Sequence, residues 1–187
     1  IFAVQSEIAR TVASALAAEM IPDPKAPAGS AGALAAEGGT RSAQAFDAYL
    51  RGRALYDLSA DEASERAALA QFDAAIAADP DYAPAHAARA RSLTAIANQY
   101  GKAGQLQELH ESAIASARRA IEIAPGLADA YSTLGFTLFQ GKLDARGARE
   151  PFERSRDLGA GEATVLARYA RYSARVGRSQ DAAEAIQ

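Results

Sequence analysis

Few residues in this 187-residue chain are typed and spaced for chemistry. Cysteine is absent, which excludes thiol nucleophiles, disulfides and thiolate metal sites. The two histidines, His86 and His110, fall in separate helical stretches with no metal-ligand or triad spacing around either. His86 reads as a helix-packing residue, and His110, flanked by Glu108 and Glu111, reads as exposed. Gly29-Ser-Ala-Gly32 and Gly159-Ala-Gly161 follow no strand and so lack the context of a phosphate loop. Asp61 and Glu62 suit the first turn of a helix, where the dipole favours acids, and Arg118-Arg119 suits a solvated face. This inventory predicts no catalytic site, no metal and no cofactor.

The elements that would carry any site are helical. Fifty of the residues are alanine, the best helix former and a poor source of buried area, while tryptophan is missing and Phe and Tyr number only 6 and 7. Strand-forming runs of Val, Ile and Thr are lacking, so the fold class is all-α, built from close contacts of small side chains with occasional large plugs. A net charge of −3 argues against nucleic-acid binding, and no apolar run approaches the roughly 20 residues of a membrane span. The chain opens at Ile1 without methionine and is read as a piece of a longer protein. Its 17 Arg against 3 Lys suggest a GC-rich bacterial genome.

In chain order, residues 1–20 place Val4, Ile8, Val12 and Leu16 on one stripe, an amphipathic helix ended by Pro22 and Pro24. It reads as the tail of an upstream domain and as a possible homodimer seam. Residues 21–41, rich in Pro, Gly, Ala and Ser, read as a flexible linker. From Ser42 helices alternate with breaks: about 45–58; then to Ala78, stopped by Asp79-Pro80; to Tyr100, broken by Gly101 and Gly104; to Ala124, stopped by Pro125. They continue with 127–140, a segment reaching Leu158, then 162–176, and an eighth from Ser179. Ser59-x-x-Glu62 has capping-box spacing, and Asp81, Asp144 and Ser179 are placed as caps. Pro151 lies inside the sixth segment and predicts a kink or a late start.

The second helix of each pair repeats a small–bulky–small–stop signature: Ala68/Phe72/Ala75/Pro80, Ala113/Ala117/Ala120/Pro125, Ala148/Phe152/Ser155/Ala160, and then Ala182/Ile186. Successive starts are 45, 35 and 34 residues apart, and the small residue of the partner helix is Gly52, Ala90, Gly135 and Ala170. A period near 34 and this pattern resemble the tetratricopeptide repeat. The resemblance covers residues 42–187, in units of about 42–80, 81–125, 126–161 and an incomplete 162–187. The second unit departs most, with His86 and Ala117 where aromatics are usual. It implies a right-handed superhelix of antiparallel helix pairs, here with one extra N-terminal amphipathic helix.

The resemblance also implies a concave groove lined by the first helix of each unit. Carried over, its candidate residues are Phe46, Tyr49, Arg53, Tyr56, Arg91, Asp129, Ser132, Phe136, Phe139, Arg171 and Arg175. Arginines interleaved with aromatics suit an acidic or C-terminal peptide segment of a protein partner. The Lys/Asn set of chaperone-binding arrays is absent, so no chaperone-tail clamp is expected.

Upstream, IFAVQSEIARTVASAL resembles the helix closing the TolB-like domain of certain bacterial multidomain regulators, and AFDAYLRGRALYDL resembles the opening of the array that follows it. In such proteins the array stands C-terminal to class III adenylate/guanylate cyclase, winged-helix or kinase domains. The expectation is a non-enzymatic, cytoplasmic interaction module of a larger signalling regulator, with a structural or dimerisation spacer as the alternative.

Overall fold

Alanine-rich segments broken by Asp-Pro, Gly and Ala-Pro give eight helices among the described residues, 38–185 of the computed structural model. They are α1 (Ala43–Asp57), α2 (Glu62–Ala78), α3 (Ala83–Tyr100), α4 (Leu106–Ile123), α5 (Ala128–Phe136), α6 (Arg149–Leu158), α7 (Ala163–Arg175) and α8 (Ser179–Glu184). A π-helical turn, Thr137–Gly141, continues α5. These residues belong to one compact unit, Ala35–Gln187. The expected helix over residues 1–20 and most of the expected linker lie outside the described residues.

Helices pack as antiparallel pairs α1/α2, α3/α4, α5/α6 and α7/α8, and each pair stacks on the next. The repeated small–bulky–small positions form the core. Ala68, Phe72 and Ala75, then Ala113, Ala117 and Ala120, then Ala148, Phe152 and Ser155 are each at most 1% exposed. In the first and third pairs the plug sits on the facing glycine. A Cβ on Gly52 would lie 2.6 Å from the Phe72 ring, and one on Gly135 would lie 2.9 Å from the Phe152 ring. Glycine here permits close approach of ring to backbone. The second pair reaches the same end differently: Ala90 packs on Ala117, and Leu134 from the next pair completes that cluster.

Several local expectations change. The capping box of α2 is Asp61 with Ser64, not Ser59 with Glu62: the Asp61 carboxylate accepts from the Ser64 N–H at 2.8 Å, and the Ser64 hydroxyl accepts from the Asp61 N–H at 3.3 Å. Glu62 is then free to pair with Arg66 one turn on, at 2.8 Å. Asp81 does not cap α3, which starts after Tyr82. Burial of the Tyr82 ring against Tyr49 fixes that entry, and Asp81 reaches Arg119 instead, at 2.7 Å.

Asp144 accepts from the Gly147 N–H in the turn before α6, so the helix starts late, at Arg149, and Pro151 falls in its first turn, where no intrahelical partner is lost. Ser179 is the first residue of α8 rather than its cap, while Arg178 ties Glu153 at 2.8 Å. The residues before α1 also pack on the array. Gly38 is buried with its carbonyl accepting from the Ala83 N–H at 2.9 Å, and the Thr40 hydroxyl donates to Asp79.

Candidate functional site

The first helices of successive pairs touch one another, α1 on α3, α3 on α5 and α5 on α7, so their outward turns form one continuous face. Side chains from all four helices meet there. Arg91 of α3 and Arg168 of α7 approach the two oxygens of Asp129 of α5, each at 3.3 Å. The Arg91 guanidinium lies over the Tyr56 ring of α1, 5.0 Å from its centre, and the Arg168 guanidinium lies 5.7 Å from the centre of Phe136. Both contacts are within cation–π range. The Arg168 group also reaches the hydroxyls of Ser132 and Thr133 at 3.5 and 3.4 Å.

The electrostatics follow from partial burial. The side chains of Arg91 and Arg168 are 16% and 15% exposed, that of Asp129 28%. Burial lowers the Arg168 pKa from its ordinary value; Asp129 opposes that shift and Arg91 adds to it. An arginine remains charged under such a shift. Burial raises the Tyr56 phenol against the pull of Arg91, which keeps it neutral. Glu65 of α2, 5% exposed, is also raised by burial, with Ser59 and Arg91 pulling it back. The face therefore offers two largely buried guanidiniums, each beside an aromatic ring, with the Arg91 Nε buried and without a hydrogen-bond partner.

Of the residues singled out in the sequence, Tyr56, Arg91, Asp129, Ser132 and Phe136 come together here. Arg171 stands close enough to Arg168 to oppose its charge. Arg53 and Arg175 are exposed, and Phe46 is 44% exposed, as Leu50 one turn on is 46% exposed. Tyr49 and Phe139 are packing residues: Tyr49 stacks edge-on to Tyr82 and tilts against Phe72, and Phe139 stacks edge-on to Tyr172. Arg168 is absent from the sequence-derived set, although its i, i+3, i+7 spacing with Arg171 and Arg175 places all three on one side of α7.

The histidines serve packing. His86 bonds through Nε2 to the Pro80 carbonyl at 2.9 Å. His110 is buried, 6% exposed, not exposed as its charged flanks suggested. Its ring lies under Gly141 of the π turn, where a Cβ would meet it at 2.5 Å, and Nε2 bonds with Asn98 at 3.2 Å. No cluster of His, Asp or Glu suited to a metal occurs among the described residues.

The sequence matches no protein-family model, and no curated protein matches it either. Among solved structures, the first TPR of Spaghetti (RPAP3) bound to the HSP90 peptide SRMEEVD is similar, with a TM-score of 0.55 and 15% identity over 73% of this chain and 95% of that one. TTC0263, a thermophilic TPR protein of Thermus thermophilus, aligns with a TM-score of 0.49 and 14% identity over 75% of this chain and 87% of that one. The fold is a tetratricopeptide-like superhelix. The Arg91–Asp129–Arg168 cluster lies on the row of first helices, α1, α3, α5 and α7.

Proposed function

We propose that this tetratricopeptide-like array is a protein-interaction module that holds an extended, acidic segment of a partner protein in its groove. The observation that carries the reading is the pair of partly buried guanidiniums, Arg91 and Arg168, each lying over an aromatic ring and sharing one carboxylate. Guanidinium groups pair carboxylates in a planar, directional way, and the rings give the flanking apolar atoms of a peptide a surface to lie on. The similar Spaghetti domain carries a peptide, which supports a general protein-interaction role here. Resemblance of the 45–58 stretch to arrays of bacterial multidomain regulators supports a cytoplasmic signalling context, with the array recruiting a partner to an output domain.

The test uses a terminally blocked, fluorescent peptide with adjacent glutamates, and its glutamine analogue. Anisotropy is expected to show salt-sensitive binding of the acidic form only. Arg91→Glu with Arg168→Glu is expected to weaken it about tenfold or more, because each charged hydrogen bond contributes roughly 1.5–3 kcal/mol. Equal binding by the folded double variant removes the groove from consideration.

A further inference from the structure

The two ion pairs of the groove cluster are longer than several on the outer surface, although the exposed pairs Arg119–Glu122 and Lys142–Glu111, at 3.3 and 3.4 Å, are as long. Arg51–Asp47, Arg89–Asp73 and Arg119–Asp81 close to 2.7–2.8 Å, the ordinary length of a charged hydrogen bond. Arg91 and Arg168 each stand 3.3 Å from Asp129, and the other contacts of the Arg168 terminal nitrogen are 3.4–3.5 Å. The Arg91 Nε is buried with no hydrogen-bond partner. Asp129 is thus divided between two guanidiniums, and the buried Glu65 of α2 is the other carboxyl near Arg91. We infer that Asp129 is a built-in competitor for the groove, an internal carboxylate standing where a ligand carboxylate would bind, and that it sets how acidic a segment must be to enter. The inference rests on the groove reading above and concerns which residue sets its threshold.

The physical consequence is specific. An incoming carboxylate gains from the two arginines and is repelled by Asp129 a few ångströms away, so an acidic side chain is held more weakly than the two arginines alone would hold it. Removing the charge of Asp129 while keeping its shape leaves Arg168 without its carboxylate and Arg91 with only the buried Glu65 nearby. The fold then loses stability and the site gains affinity for any carboxylate. A purely structural role predicts the opposite, because loosened arginines would bind less well.

Wild type, Asp129→Asn and Asp129→Asn with Arg168→Gln are to be titrated with the blocked acidic peptide and its glutamine analogue. Each is also to be melted in sodium acetate and in sodium chloride at equal ionic strength. Asp129→Asn is expected to bind the acidic peptide on the order of tenfold more tightly, with the glutamine peptide unaffected. Acetate is expected to raise its melting temperature more than that of wild type, and the double variant loses both gains. Equal or weaker peptide binding by folded Asp129→Asn overturns the inference while leaving the groove reading standing. If no form binds the peptide, the groove reading fails and the inference falls with it, whatever acetate does. Where Asp129→Asn is too unstable to titrate, the melting comparison decides alone, and no acetate-specific gain overturns the inference.

Discussion

Arginine, tyrosine and histidine do different work here according to how deeply each is buried. Arg119 and Arg51 pair on the outside and add little to stability, whereas Arg91 and Arg168 are largely buried and share Asp129. His110 shows the same dependence in a packing role. Burial first, and then Lys142, lowers its pKa from the usual 6.5; burial lowers that of His86 also, with the Pro80 carbonyl opposing. An unfolded chain takes up protons as pH falls through about 6.5 that these folded rings refuse, so stability is full above that pH and declines below it. His110→Gln retains an amide for Asn98 and is expected to shrink the loss in melting temperature between about pH 7.5 and 5.5. Melting both proteins at both pH values checks this, and an unchanged pH dependence would remove His110 as the cause. The burial of His110 was not legible in the sequence. Its flanking Glu108 and Glu111 mark an exposed turn, and only the return of Gly141 over the ring hides it.

Helices in this array are matched through single small residues. Gly52 faces the Phe72 ring and Gly135 the Phe152 ring so closely that a methyl group at either meets carbon atoms within 3 Å. Gly135→Ala is expected to cost about 1–3 kcal/mol by overpacking, against a gain of about 1 from helix propensity. Gly126→Ala meets nothing within 4 Å and is expected to be neutral within about 0.5 kcal/mol. Denaturant midpoints of the two variants separate packing from propensity, and equal midpoints would show that the ring simply moves aside. This level was readable beforehand: the spacing of Ala, Phe, Gly and Pro set the pairs and their period. The caps were less readable, because Asp61, Ser59 and Ser64 are all competent cap formers within one short stretch, and packing of the helix body selects among them.

At the scale of the whole array, stability passes from pair to pair, since no pair buries its own apolar face. The short segment ahead of α1 adds a longer tie. Gly38 has a φ of +78°, and a Cβ there would meet the Cβ atoms of Ala124 at 2.6 Å and Ala83 at 2.8 Å. This stretch is therefore fastened at the junction of α3 and α4, beyond the pair it precedes. Gly38→Ala is expected to lose about 1–2 kcal/mol from backbone strain alone. That corresponds to roughly 2–4 °C of melting temperature per kcal/mol for a chain of this size. Deletion of residues 1–41 should lower the melting temperature at least as far, and a variant melting like wild type would show that the tie contributes nothing.

The division between what was legible and what was not follows the range of the interactions. Helix periodicity, proline and glycine stops, and the alternation of small and bulky residues act within a few turns of chain, so the eight helices and their pairing were readable from residue order. The Arg91–Asp129–Arg168 cluster is assembled from side chains far apart: Arg91 meets Asp129 across 38 residues, and Arg168 meets it across 39. Which arginine turns inward, and which carboxylate it must share, depends on the small rotation and stacking of each pair upon the next. That stacking comes from summed contacts of side chains whose neighbours no local pattern specifies.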